Sequence, residues 1–100
     1  MAPNVLNLVS TAVRAVPGVV RLAKSADSAL PHVVQGMGVV VRSGEMGLVV
    51  DCSIHAAMDT PLLDVGLAVQ ATVAAVLQDI AGLAVSEVNV YILDVECNRG

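Results

Sequence analysis

Residues 36–95 read GMGVVVRSGEMGLVVDCSIHAAMDTPLLDVGLAVQATVAAVLQDIAGLAVSEVNVYILDV, a strand hairpin followed by a long, nearly uncharged helix and a closing strand. Val39 to Arg42 is a β-branched run. Leu48 to His55 alternates, with Leu48, Val50, Cys52 and Ile54 on one side and Val49, Asp51, Ser53 and His55 on the other. That period of two is what a strand with one buried face requires. Ser43, Gly44, Glu45, Met46 and Gly47 form a glycine-bounded turn between the two runs, suited to a hairpin. Thr60 suits an N-cap, with Pro61 at the first helical position and Asp64 near the positive end of the helix dipole. The helix is predicted to run to Ala81, with Gly82 as a left-handed terminator. A last strand follows, with Val88, Val90 and Ile92 facing inward.

Upstream, Val5, Leu8, Val9, Ala12, Val13 and Val16 recur at helical spacing, opposite Asn4, Asn7, Ser10, Thr11 and Arg14. This is an amphipathic helix that Pro17 and Gly18 stop. Val19 to Leu22 reads as extended, and Ser25 to Gln35 as a linking loop containing Pro31 and His32. The order is α-β-β-α-β. An antiparallel hairpin and a helical crossover imply an α+β fold of two layers, a small mixed sheet of about three strands with two helices on one face. Residues 1–100 read as a single domain.

Composition narrows function. Apolar residues make up 56% and charged residues 14%, which excludes a disordered chain. Tyr91 is the lone aromatic, so a base-stacking surface is excluded. A domain this small has too little interior for so much Val, Ala and Leu, and some apolar surface should meet a partner. The net charge of −4 is uneven. Residues 1–42 hold Arg14, Arg21, Lys24 and Arg42 against Asp27, and residues 43–100 hold eight acids against Arg99. The acidic majority opposes nucleic-acid binding, and the scattered cations read as solvated side chains. Cys52 and Cys97 are isolated thiols, so a reducing cytoplasm is expected. The first residues lack a basic region ahead of their apolar stretch, unlike a signal peptide. Asp64, Gln70, Gln78 and Asp79 interrupt residues 61–83, so no direct membrane span is expected.

The ordered features resemble the alkaline shock protein family of Gram-positive envelope stress proteins. The matching residues are Val16 to Val19 after the first helix, Gly38 to Val41 opening the hairpin, and Val49 to Asp51 in its second arm. Pro61, Val69, Gln70, Val73 and Val76 follow along the long helix, then Gly82, Leu83 and Val88 to Val90. The resemblance implies a cytoplasmic, non-enzymatic protein held at the inner face of the envelope through partner proteins and linked to stress. It supplies no catalytic residues. Two departures bear on the surface. Family members typically carry a strand ahead of the first helix, whereas few residues precede Val5, so one sheet edge should be less protected. Their long helix carries Glu and Lys where this chain has Ala71, Thr72, Ala74 and Ala75.

Other chemistry is weaker. Cys52 and His55 point to opposite faces of a strand and cannot share a metal without a bulge. His32 and Cys97 lie in poorly patterned segments. A small metal-handling protein built on these thiols and imidazoles is the alternative function, with Cys52 a core residue and His55 a solvated one in the blander reading. Gly44 to Gly47 fits the GxxG form of an RNA-binding loop, but strands flank it and Glu45 would repel phosphate. Asp51, Ser53 and His55 share a strand face at spacings of roughly 7 Å, too far for a catalytic relay between neighbours. No metal or cofactor is expected.

The partner surface is sought on the long helix. Val65, Val69, Val73, Val76 and Ile80, with Leu62, share one arc and should lie on the sheet. Leu63, Leu67, Ala71 and Ala74 fall nearly opposite and are the candidate partner-binding residues. Small residues backed by leucine let another element approach closely. The expected role is a non-catalytic envelope stress module that self-associates, or adapts a membrane-anchored partner, or both.

Overall fold

The computed structural model describes residues 4–23, 33–36 and 38–97. Its elements are α1 (Asn4–Arg14), β1 (Val19–Leu22), β2 (Val33–Gly36), β3 (Val39–Gly44), β4 (Gly47–Ala57), α2 (Leu62–Ala75) and β5 (Val85–Glu96). A π-helical turn over Val76–Ile80 extends α2. The fold is α+β in two layers. The sheet, however, has five strands where about three were expected. Val19–Leu22 pairs with β4, and Val33–Gly36, overlapping the end of the expected loop at residues 33–35, pairs with β3 from Val33↔Arg42 to Gly36↔Val39. The rest of that expected loop, residues 25–32, lies outside the described residues.

β4 is the spine. One of its edges takes β5 in parallel along nearly its whole length. The other edge is shared end to end, with β3 antiparallel over Gly47–Cys52 and β1 antiparallel over Ile54–Ala56. The handover falls at Ser53, whose carbonyl accepts from the Ala23 N–H at 2.8 Å and whose N–H donates to the Gly38 carbonyl at 2.8 Å. Gly38 sits at φ +84°, and a Cβ there would lie 2.1 Å from the Ala23 carbonyl oxygen. Two strands can abut on one edge because this residue has no side chain.

Both helices cover one sheet face. Val5, Val9 and Val13, spaced at one residue per turn on α1, meet Val39, Val41, Val50, Cys52 and Ile54 from the sheet and Val65, Val69 and Val73 from α2. The expected inward arc of α2 needs two corrections at its ends. Leu77 is fully buried, while Ile80 is 68% exposed and Leu62 39%. The π turn is the reason for the first: the Ala81 N–H reaches back to the Val76 carbonyl, widening the coil so that Ile80 swings outward. Leu62 is the first residue of the helix, which starts one residue later than expected. Pro61 is its N-cap, and the Thr60 hydroxyl makes no cap but donates to the Ala57 carbonyl at 2.6 Å, tightening the turn out of β4. Gly82 does terminate the helix at φ +68°, and the next N–H, of Leu83, bonds the Leu77 carbonyl at 2.9 Å.

Candidate functional site

The stretch Leu62–Ile80 is long and apolar enough to cross a membrane by length and composition, yet 22% of it is buried in the domain. Val65, Val69, Val73 and Leu77 are the buried part and pack against the sheet. The remaining apolar surface is left outside. Leu63 is 75% exposed and Leu67 54% exposed, one turn apart. Isolated exposed leucines are unremarkable, whereas a contiguous apolar patch marks an interaction surface.

Here the patch is contiguous. Leu62, Leu63, Gly66 and Leu67 on α2 and Val90 and Ile92 on β5 line an open groove of about 330 Å3, with Gln70 at its side. Gln70 Nε2 donates to the Val88 carbonyl at 2.9 Å, tying the helix flank to β5. β5 borders the sheet on this side, and among the described residues its second edge has no partner strand. The groove and the open strand edge therefore form one surface. β5 is interrupted twice in its register with β4, beside Ser86 and beside Leu93. Between these irregularities, Glu87 to Ile92 runs evenly.

Of the expected partner residues, Leu63 and Leu67 line the groove. Ala71 is exposed on the adjoining surface, and Ala74 is half-buried; neither lines the groove. Leu62, Gly66, Gln70, Val90 and Ile92 were not singled out for this surface by sequence. The missing signal was strand order: nothing in the pattern of β5 says that it pairs in parallel at the border of the sheet, beside the leucine flank of α2.

The sheet's other face carries two polar clasps. Arg42 Nη2 bonds Asp51 Oδ2 at 2.9 Å, and Asn89 Nδ2 donates to Asp51 Oδ1 at 2.9 Å and to Glu87 Oε2 at 2.7 Å, joining β3, β4 and β5. At the other end Glu96 Oε2 accepts from Arg21 Nε at 3.0 Å and Nη2 at 2.9 Å and also contacts His55 Nδ1. That links β1, β4 and β5. His55 is thus no freely solvated side chain but a hydrogen-bond partner of Glu96, because the parallel register brings β5's carboxylate to β4. Asp51 and His55 serve separate clasps. Cys52 lies on the buried face, away from His55, and burial pushes its thiol up to about 12. A thiol held protonated in the core is a poor metal ligand or nucleophile. Cys97 is exposed, and among the described residues no group of three or more His, Cys, Asp or Glu could hold a metal. His32 lies outside the described residues.

The Glu96 clasp has a measurable pH signature. The His55 hydrogen bond, and with it the Arg21 charge, holds the Glu96 carboxyl below its ordinary 4.5. A carboxyl depressed in the folded state adds stability above its unfolded value and loses it as pH falls through the folded one. Glu96→Gln should therefore melt below the parent at neutral pH, and the gap should close as pH falls through and below 4.5. Thermal melts of both proteins across that range check this; a gap that stays constant with pH would show that the clasp is not titrating.

A model of the alkaline shock protein 23 family, described by a cell envelope-related function, matches residues 1–97. No curated protein matches the chain. A solved structure of the MamM CTD in a zinc form is similar at 18% identity and a TM-score of 0.48, covering 95% of this chain and 84% of that one.

Proposed function

Because the chain belongs to the alkaline shock protein family, whose description is cell envelope-related, we propose that it is a non-catalytic docking module of the envelope stress response. It works at the cytoplasmic face of the membrane, by self-association or by adapting a membrane-anchored protein, through the α2–β5 surface. The observation that carries this reading is the pair Leu63 and Leu67, exposed at 75% and 54% at the lip of an apolar groove. Water in such a groove is released when a partner fills it, at roughly 25 cal/mol for each Å2 of apolar surface covered. The polar residues that might have suggested chemistry, Asp51 and His55, are engaged in binding strands together. The acid-rich second half of the chain supports a protein partner over a nucleic acid.

Changing Leu63 and Leu67 together to Glu alters exposed positions and leaves the buried face of α2 alone. The variant should fold like the parent by circular dichroism and lose at least tenfold in association, read by light scattering and by recovery from native membranes. Ala71→Glu with Ala74→Glu should weaken association less, because those positions flank the groove. Two folded double variants that associate like the parent would remove this surface from consideration.

A further inference from the structure

The open edge of β5 narrows what docks there, and the argument rests on the α2–β5 surface being the docking site. β5 runs parallel to β4, and its other edge is free of any strand among the described residues. Between the irregularities beside Ser86 and Leu93, the segment Glu87 to Ile92 keeps an unbroken register. Bulges and acidic side chains are the usual protections of a strand edge. Here they bracket a regular stretch and leave it open.

One carbonyl of that stretch is partnered by a side chain, and so is one N–H beyond its end. Gln70 offers its primary amide to the Val88 carbonyl at 2.9 Å, the bond an incoming peptide N–H would make. At the far end Asp94 Oδ1 accepts from the Val95 N–H at 2.8 Å. Both bonds are exposed and replaceable. Val88, Val90 and Ile92 alternate, so their peptide groups point the same way while their side chains lie toward α2. The groove above Val90 and Ile92 is therefore positioned for the alternate side chains of an added strand. Gly66 opens it further, since a Cβ there would meet nothing within 4 Å.

Charge decides the kind of strand. Residues 61–97 contain Asp64, Asp79, Glu87, Asp94 and Glu96 and no Lys or Arg. Pairing β5 with the β5 of a second copy would bring like charges together, which is destabilising across strands. A segment with basic flanks would instead be drawn to this surface. We propose that β5 is extended by an added strand, an extended segment of a partner protein with apolar residues at alternate positions and Lys or Arg at its ends. Its backbone pairs along Val88 to Ile92, and its alternate apolar side chains enter the groove beneath Leu63 and Leu67. This is strand addition, with affinity from main-chain hydrogen bonds and selectivity from the groove and the charge.

The test uses the full chain and a fluorescein-labelled peptide of alternating valine and threonine between paired lysines, read by fluorescence anisotropy. A second peptide replaces the lysines with glutamates. Two further peptides keep the lysines and carry N-methyl groups on alternate amides, one for each edge of the strand. The lysine peptide should bind at least tenfold more tightly than its glutamate twin. One N-methylated peptide should lose at least tenfold and the other less than threefold, since only one edge faces β5. Amide exchange should slow at Val88 to Ile92 on binding. Failure of the lysine peptide to bind, equal binding of the glutamate twin, or equal behaviour of the two N-methylated peptides would overturn the proposal. Loss of native association in the Leu63→Glu, Leu67→Glu variant alongside such a failure would leave the docking surface standing and remove strand addition alone. Normal association in that variant would remove both.

Discussion

Gly38→Ala should destabilise the domain by about 4 kcal/mol, among the largest losses a single methyl group can cause. The left-handed conformation at φ +84° costs an L side chain roughly 1–2 kcal/mol. The added Cβ would lie 2.1 Å from the Ala23 carbonyl oxygen and 3.0 Å from that of Ser53, both backbone atoms that cannot turn aside. Relief requires parting β1 from β3 where they meet, which threatens the Ala23–Ser53 and Ser53–Gly38 hydrogen bonds at roughly 1 kcal/mol each. Against a typical total of about 5–15 kcal/mol, that is a large share of the domain's stability. Gly66→Ala is the control: the site is helical and open, and alanine there should stabilise by about 0.5–1 kcal/mol. Urea unfolding of both variants checks the pair. A Gly38→Ala loss below about 1 kcal/mol would mean that the strand handover is not the close contact described.

Leu77→Ala should lose about 3 kcal/mol, within the range for a leucine fully enclosed in a core. Ile80→Ala should lose less than about 0.5 kcal/mol, because that side chain stands 68% exposed. A regular helix would favour the reverse emphasis, since Ile80 continues the inward arc of Val65, Val69 and Val73 and Leu77 lies at its margin. The two substitutions together therefore measure the widened turn by denaturant unfolding. An Ile80→Ala loss equal to that of Leu77→Ala would restore the regular helix and place Ile80 on the sheet.

The hairpin was legible because two independent signals agree on it. Alternation along Leu48 to His55 marks the buried side, and the glycines around Glu45 and Met46 mark the turn that the register confirms at Gly44↔Gly47. Gly82 was legible for a similar reason, since it follows the last helical residues and only glycine adopts the left-handed region cheaply. β2 was not, because a four-residue strand has too few alternations to stand out from a loop. The π turn was hidden too. Spacing alone assumes a constant pitch, so a locally widened turn leaves no mark in the pattern. For the surface, Leu63 and Leu67 were readable as the apolar residues left over once the core arc was assigned. Val90 and Ile92 could not be added to them, because a sequence does not state which strand lies at the border of a sheet. His55 was misread as solvated for the same reason: its partner Glu96 is 41 residues away and reaches it only through the parallel β4–β5 register.

If the α2–β5 side is the docking surface, as proposed, covering it leaves the core intact. Val65, Val69, Val73 and Leu77 hold α2 to the sheet on one face, so the leucines on its flank are free to be covered or uncovered. The polar clasps hold β5 in register from the opposite face of the sheet. An incoming partner then meets a fixed strand and a fixed helix, and little ordering is required on this protein's side.

Hydrogen exchange read by mass spectrometry, on the protein alone and with detergent-solubilised envelope membranes from its native cells, tests the docking surface most directly. Added protection is expected over Leu62–Ala75 and Val85–Glu96, abolished by Leu63→Glu with Leu67→Glu, and none over Val39–Gly44. Protection that appears over Val39–Gly44 and spares α2 and β5 would contradict it.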